Sequence, residues 1–347
     1  MDKSKAVSFF SETIKSDATK KSYLHHLSQF LRFTKIKDYD TMLDLDSKKI
    51  QELLEEYLID CKSHNSLNSI KSKFACLKSF FTFHKDDISF NRIKRMYPAQ
   101  TVKISGFKAY TVEQIRTLLE NTLSRPMRHA IMFMSASGVR VGALYELKLK
   151  HLEKMPDGCK SVLVYPDSKD EYITFITPEC VQYLDNYLDY RRSKGEKITQ
   201  ESFLFVNHFG KPYEPGKLSS YISKYVRTLT SRNKINGNRY DVMACHGLRK
   251  YFNTVLKLRT DINSNIAERL MGHSRTIQLD NSYFAPTKDQ LFTEYRKAIS
   301  DLSIHEKYKL QIDIVKEKEI QSQADLRILA LEKKLDVLTE FVKTFHN

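Results

Sequence analysis

Apolar residues in this chain recur at three- and four-residue intervals along most of its length, and between Cys159 and Thr177 they alternate instead. The first spacing puts a stripe on a helix; the second puts a face on a strand. A chain divided in this way is expected to fold as mainly α with a small β-sheet. Phe9, Phe10, Thr13 and Ile14 mark one helix. Tyr23, Leu27, Phe30 and Leu31, opened by a cap at Ser16 or Asp17, mark a second. Ile50, Leu53, Leu54, Tyr57 and Leu58 mark a third, and Ile70, Phe74, Leu77, Phe80 and Phe81 a fourth. Four amphipathic helices predict a small all-α domain over residues 1–104. Asn91–Lys108, with a proline, a glycine and little periodicity, reads as a linker.

Residues 105–298 predict an α+β domain. Thr111 and Gln114 fit a capping box, and a buried helix runs through Ala130, Ile131, Phe133 and Met134. C-K-S-V-L-V-Y and E-Y-I-T-F-I-T flank the turn P-D-S-K-D, which makes a β-hairpin with Lys169 at its tip. Helices are expected again over 178–192 and 213–230. F-L-F-V-N-H-F-G-K-P precedes the second of these as a buried strand or a turn.

The charge balance narrows the function. Lys and Arg number 57 against 42 Asp and Glu, a net +15, which suits a polyanion partner. Eight cations between Lys71 and Lys103 (Lys71, Lys73, Lys78, Lys85, Arg92, Lys94, Arg95 and Lys103) face only Asp86 and Asp87. Together with Asn91 and Gln100, they predict DNA contact. No apolar run approaches membrane-spanning length, and the N-terminus lacks a secretory signal. A cytoplasmic protein without a membrane partner is therefore expected. Five cysteines with no close pairing exclude a disulfide framework or C-x-x-C metal spacing. Cys245 beside His246 is a poor nucleophile candidate, because neighbouring helix positions point apart.

Chemistry concentrates between Ala244 and Pro286. His246 and Arg249 lie three apart, on one face of a helix. A guanidinium matches two phosphate oxygens, and an imidazole adds a hydrogen bond or a proton. His273 follows a helix that Gly272 ends, and Tyr283 lies in a short polar segment closed by Pro286. The set fits phosphoryl transfer with no metal and no cofactor. Arg140, just after Gly138 at a helix junction, sits near backbone donors that favour an anion.

Arg140, Lys169, His246-x-x-Arg249, Gly272-His273-Ser274 and Tyr283 occur in that order. The chain resembles the tyrosine recombinase (phage-integrase) family over nearly its whole length. S-G-V-R resembles the family's T-G-x-R box, C-H-G-L-R-K its H-x-L-R-H box, and L-M-G-H-S its L-G-H-S box. T-K-K-S-Y-L-H-H-L-S-Q-F is similar to the first helix of its SAM-like core-binding domain. The overall pattern is similar to integrases of archaeal viruses and plasmids. Three departures stand out: Ala143 occupies a position that is usually acidic, with Glu146 the nearest carboxylate; the step from His273 to Tyr283 is one residue longer than the commonest spacing; and Lys250 replaces a common histidine.

The resemblance implies that Arg140 and Arg249 clamp the non-bridging phosphate oxygens while His273 adds a hydrogen bond. Tyr283 attacks phosphorus to form a 3′-phosphotyrosine, His246 accepts or orients its proton, and Lys169 protonates the departing 5′-oxygen. It also implies recombination between paired attachment sites on double-stranded DNA by a homo-oligomer, a tetramer on DNA, with room for an accessory DNA-bending protein. A type IB-like topoisomerase and a catalytically inactive DNA-binding relative are the alternatives.

Residues 299–347 form a tail of another kind. Residues 301–347 carry 8 Lys and Arg against 9 Asp and Glu, so the excess positive charge lies upstream. Ala324, Ile328, Leu331, Leu335, Leu338, Val342 and Phe345 alternate by four and three as a heptad seam, interrupted upstream by Glu317 and Gln321. A C-terminal helical tail is expected, either lying on its own domain or meeting a partner helix.

Overall fold

A computed structural model of the chain describes residues 4–85, 87–99, 106–229, 232–236, 239–273 and 284–345. The chain divides into two compact units, Met1–Val102 and Lys103–Asn347. No helix among the described residues is long and apolar enough to cross a membrane.

The first unit is all helical: α1 (Lys5–Glu12), α2 (Asp17–Thr34), α3 (Tyr39–Leu43), α4 (Ser47–His64), α5 (Leu67–His84) and α6 (Phe90–Arg95). Ser4, Ser16, Asp38 and Ser66 each cap a helix, their side-chain oxygens accepting a backbone N–H of the first turn. The stripes predicted from spacing meet in one core. Phe10, Phe30, Tyr39, Phe74, Phe80 and Phe81 are fully buried there, and Phe10 meets Phe80 edge to face. The expected linker begins later than its composition suggests. Phe90–Arg95 is helical, and Ile93 is buried in this core. A helix of six residues is too short to show a period, yet one buried apolar side chain anchors it.

Among the cations of this unit, Lys85 donates to the Leu45 carbonyl at 2.7 Å, Arg92 pairs with Glu55 at 2.8 Å, and Lys73 lies over the Tyr57 ring. Lys71, Lys78, Lys94 and Arg95 are exposed. Lys71 and Lys78, seven apart on α5, share a face of that helix. Asp86, Gln100 and Lys103 lie outside the described residues.

The second unit opens with α7 (Val112–Asn121), whose Thr111–Gln114 capping box forms as expected, and α8 (Arg125–Ser137). Ten of the thirteen residues of α8 are buried, so it is the central helix of the core. Two 3-10 turns (Val141–Tyr145 and Leu149–His151) lead to three antiparallel strands, β1 (Leu152–Lys154), β2 (Lys160–Val164) and β3 (Tyr172–Ile176), in that order, with a third 3-10 turn (Pro156–Gly158) between β1 and β2. The predicted hairpin is β2–β3, with Val162 opposite Thr174. Strand β1, with three residues, adds an edge that alternation could not reveal.

Next come α9 (Pro178–Ser193), α10 (Lys217–Leu229), the short pair β4 (Lys234–Asn236) and β5 (Arg239–Tyr240), α11 (Ala244–Leu258) and α12 (Ser264–Leu270). The Phe203–Pro212 stretch takes the turn alternative, with isolated bridges at Phe203 and at Val206–Pro212. Helix α10 starts at Lys217, four residues later than spacing suggested, and Thr230 lies outside the described residues. The chain closes with α13 (Lys288–Lys297), α14 (Ile299–Leu302) and the forty-residue α15 (Glu306–Phe345). Helix α11 packs against α8, and α12 against β3, which sets the C-terminal ends of α8 and α12 around the start of α11.

Candidate active site

Two helix ends build the site. Helix α8 stops at Gly138, in the left-handed region at φ +65°, where a side chain would collide with the Phe252 ring. Helix α12 stops at Met271, followed by Gly272 at φ +57°, where a side chain would collide with the Tyr172 ring. Both turns therefore demand glycine. Each leaves backbone carbonyls at the negative end of a helix. Arg249, projecting from α11, spans the two ends. Its guanidinium donates from Nη1 to the Gly138 carbonyl and from Nη2 to the Met271 carbonyl. Arg140, two residues past Gly138, donates from Nη1 to the Gly272 carbonyl at 3.1 Å.

The two arginines differ in exposure: Arg249 is 2% exposed, and Arg140 faces solvent. Burial works against the charge on Arg249 and lowers its pKa from the usual range; nearby Arg140 acts the same way, while the adjacent Tyr172 acts in the opposite sense. Among the described residues no carboxylate pairs with either arginine. Glu146 makes no ion pair with Arg140, and Ala143 is buried in the core. Two converging guanidiniums with no paired carboxylate among the described residues are arranged to receive an anion.

His246 lies in the first turn of α11, exposed, and lines the same cleft of about 290 Å³ as Arg140 and Arg249. Met134, Val139, Ser219 and Ser223 complete part of its wall. His273 follows Gly272, half-buried, and its Nδ1 meets Glu268 Oε2. Lys257 donates to the other oxygen of Glu268. Burial raises the Glu268 pKa, but the hydrogen bonds from Lys257 and His273 outweigh it and hold the carboxyl below its usual range. Lys169 is exposed in the β2–β3 turn, which two positive-φ residues, Tyr165 and Asp167, help to shape. It has no hydrogen bond or ion pair to the other site residues described. Tyr283 and Ser274 lie outside the described residues.

Other nucleophile candidates are disfavoured by their surroundings. Tyr295 is fully buried on α13, its hydroxyl donating to the Ala136 carbonyl at 2.8 Å. Burial raises the Tyr172 phenol above its ordinary range and pushes the Cys245 thiol up to about 11. No group of three or more His, Cys, Asp or Glu suited to a metal ion occurs among the described residues.

A profile described as the phage integrase family matches residues 107–290, more than half of the chain. The chain belongs to the phage integrase family. It is a site-specific DNA recombinase of the tyrosine class. No curated protein matches it in sequence. Its fold is similar to that of a λ integrase dimer bound to a COC′ core site, with 16% identity, 83% of this chain and 98% of that chain covered, and a TM-score of 0.55. It is also similar to the Tn1549 transposon integrase in complex with transposon right-end DNA, with 17% identity, 84% and 98% coverage, and a TM-score of 0.55. A λ integrase tetramer bound to a Holliday junction is similar at 15% identity, 82% and 78% coverage, and a TM-score of 0.54.

Within this integrase fold, motif reading overlooked three supports. Glu268 was not singled out, although a carboxylate one turn before a helix-ending glycine and a histidine is a usable signal. Tyr172 packs over Gly272 and beside Arg249. The carbonyls of Gly138, Met271 and Gly272, which hold both arginines, carry no sequence letter. The glycines at the two helix ends are their trace.

Proposed function

We propose that the cleft shared by Arg140, His246 and Arg249 is where this recombinase cuts and rejoins DNA through a 3′-phosphotyrosine on Tyr283. The observation that carries the proposal is the convergence of Arg140 and Arg249 on the two helix ends with no described carboxylate to neutralise them. A phosphodiester in the cleft supplies the missing negative charge. That charge grows on the non-bridging oxygens as Tyr283 attacks, and prepositioned donors stabilise it more in the transition state than in the ground state. His246, exposed at the cleft, accepts or orients the phenolic proton. His273, oriented by Glu268 through Nδ1, presents its other nitrogen to a phosphate oxygen. Lys169, on the hairpin turn, protonates the leaving 5′-oxygen. The phosphotyrosine conserves the bond energy for rejoining, so no nucleotide is consumed.

Residues 1–104 take the role of a DNA-binding domain, residues 105–298 the catalytic role, and residues 299–347 the assembly role. Lys71, Lys78, Lys94 and Arg95 are the exposed phosphate-binding candidates. Arg92 can join them, since an exposed pair like that with Glu55 is worth only about 0.5 kcal/mol. The relatives solved on a core site and on a Holliday junction support double-stranded DNA as the substrate and an oligomer, a tetramer, as the working form. Such a reaction takes place in the cytoplasm, where an accessory DNA-bending protein can assist.

Capture of covalent protein–DNA adducts from cells expressing wild type and Tyr283→Phe tests the reading. Adducts at one or a few sites, joined through a 3′-phosphate and absent in the variant, are expected. Adducts scattered over the genome favour a topoisomerase. Absence from both proteins favours a DNA-binding relative.

A further inference from the structure

Most of helix α15 lies outside the core of its own unit. Tyr308 and Ile312 still touch the body beside Pro178 and Ile299, but every side chain described from Asp313 onward is exposed. The seam residues Ile328, Leu331, Leu335 and Leu338 are 54–65% exposed, an apolar stripe that water does not favour. We propose that α15 joins two copies of this chain as a parallel, in-register, two-stranded coiled coil running from Ala324 to Phe345.

The heptad pattern selects the partner. In the abcdefg register, Ile328, Leu335 and Val342 fall at a, and Ala324, Leu331, Leu338 and Phe345 at d. β-Branched residues at two of three a positions, with leucine at the central d positions, favour two strands. The flanks carry opposite charge. Arg327 and Lys334 occupy g on one edge of the seam, and Asp325 and Glu332 occupy e on the other.

In a parallel pair, g of one helix meets e of the next heptad on the other, so Arg327 faces the second copy's Glu332, twice by symmetry. An antiparallel pair sets the basic edge against the basic edge and the acidic edge against the acidic edge. The tail is thus complementary to itself in a single orientation. Upstream, the same register brings Glu317 and Gln321 to the seam, which ends the pairing near Ala324. Leu326 and Leu329, at f and b, stay on the outside of the pair. The inference stands on the tail alone and holds whichever reaction the cleft performs.

Sedimentation equilibrium of the full chain without DNA tests it. A dimer is expected, and Leu331→Asp with Leu338→Asp should give a monomer of unchanged near-UV spectrum. Arg327→Glu or Glu332→Arg alone should weaken pairing about three- to tenfold, and the double exchange should restore it. Leu338→Cys should form an interchain disulfide on mild oxidation, since equivalent d positions meet in a parallel pair. A wild-type monomer at all concentrations overturns the proposal, and so does a dimer indifferent to both aspartates. A dimer without the Leu338→Cys cross-link, or without rescue by the double exchange, overturns the parallel register.

Discussion

The cleft around Arg249 and the interior around His129 lie in one unit and treat polar side chains in opposite ways. In and beside the cleft, the buried or half-buried basic side chains have named partners: Arg249 has two carbonyls, and His273 has Glu268. In the interior, His129 on α8 stacks on Phe205 at 4.9 Å and on Tyr187 at 5.4 Å, with no hydrogen bond at either ring nitrogen among the described residues. Burial lowers its pKa to about 3, and nearby Arg191 acts in the same direction. An imidazole without partners is kept neutral and behaves as an aromatic ring. A half-buried imidazole held by a carboxylate through one nitrogen keeps the other nitrogen for a further hydrogen bond. Burial and geometry must therefore be read together, because either alone would rank His129 beside His273.

The largest break in this contrast comes from Arg249→Ala, which leaves the carbonyls of two helix ends unpaired and removes the buried charge. Single-turnover cleavage of a nicked duplex should slow by about 10²–10³-fold. Arg249→Lys should recover only part of this, because one ammonium cannot bridge both carbonyls as the fork does. Near wild-type cleavage by Arg249→Ala would remove it from the site. Lys169→Ala should slow cleavage by about 10²-fold. A substrate with sulfur at the 5′-leaving position, which needs no proton to depart, should restore the rate. An equal defect on both substrates would make Lys169 a DNA-binding residue instead.

Much of this was legible in the sequence, for reasons that also explain the omissions. The long helices announce themselves because each buries a stripe over several turns, as with Ile70, Phe74, Leu77 and Phe81 on α5. The helices α3 and α6 and strand β1 run only three to six residues, less than two periods, so tertiary contacts define them. His246 and Arg249 could be proposed because an imidazole and a guanidinium three apart on a helix suit phosphate chemistry, whereas Arg140, an ordinary surface arginine in isolation, entered through the order of the family's motifs. Glu268 was hidden because a glutamate in a short polar helix looks solvated. It reaches His273 because Gly272 turns the chain back. His129 sits in M-R-H-A-I-M-F-M, an apolar run whose helix is buried, and the ring is buried with it.

Glu268→Gln sharpens the comparison by making the support of His273 neutral without changing its size. Cleavage should fall by about tenfold through loss of orientation rather than loss of a reacting group. Lys257→Ala, which leaves the His273 contact in place, should have a smaller effect. Equal losses for the two would mean that Glu268 acts by anchoring α11 to α12. Because the Glu268 pKa is lowered on folding, its stabilising contribution is present above the ordinary carboxylate pKa and is lost as pH falls through its folded value.

His129 gives the smallest effect on activity and a distinct effect on stability. Its folded pKa of about 3 lies below the ordinary 6.5, so between those values the unfolded chain binds a proton that the folded chain refuses. Stability therefore falls as pH drops from 6.5 toward 3, by an amount on the order of a few kcal/mol from this group alone. His129→Leu should keep cleavage at neutral pH and flatten that part of the acid limb in urea titrations. The loss from Glu268 and other carboxylates at lower pH should remain. An unchanged slope in His129→Leu would mean that water or protein motion solvates the ring, which would place His129 with the accessible histidines and erase the contrast with the cleft.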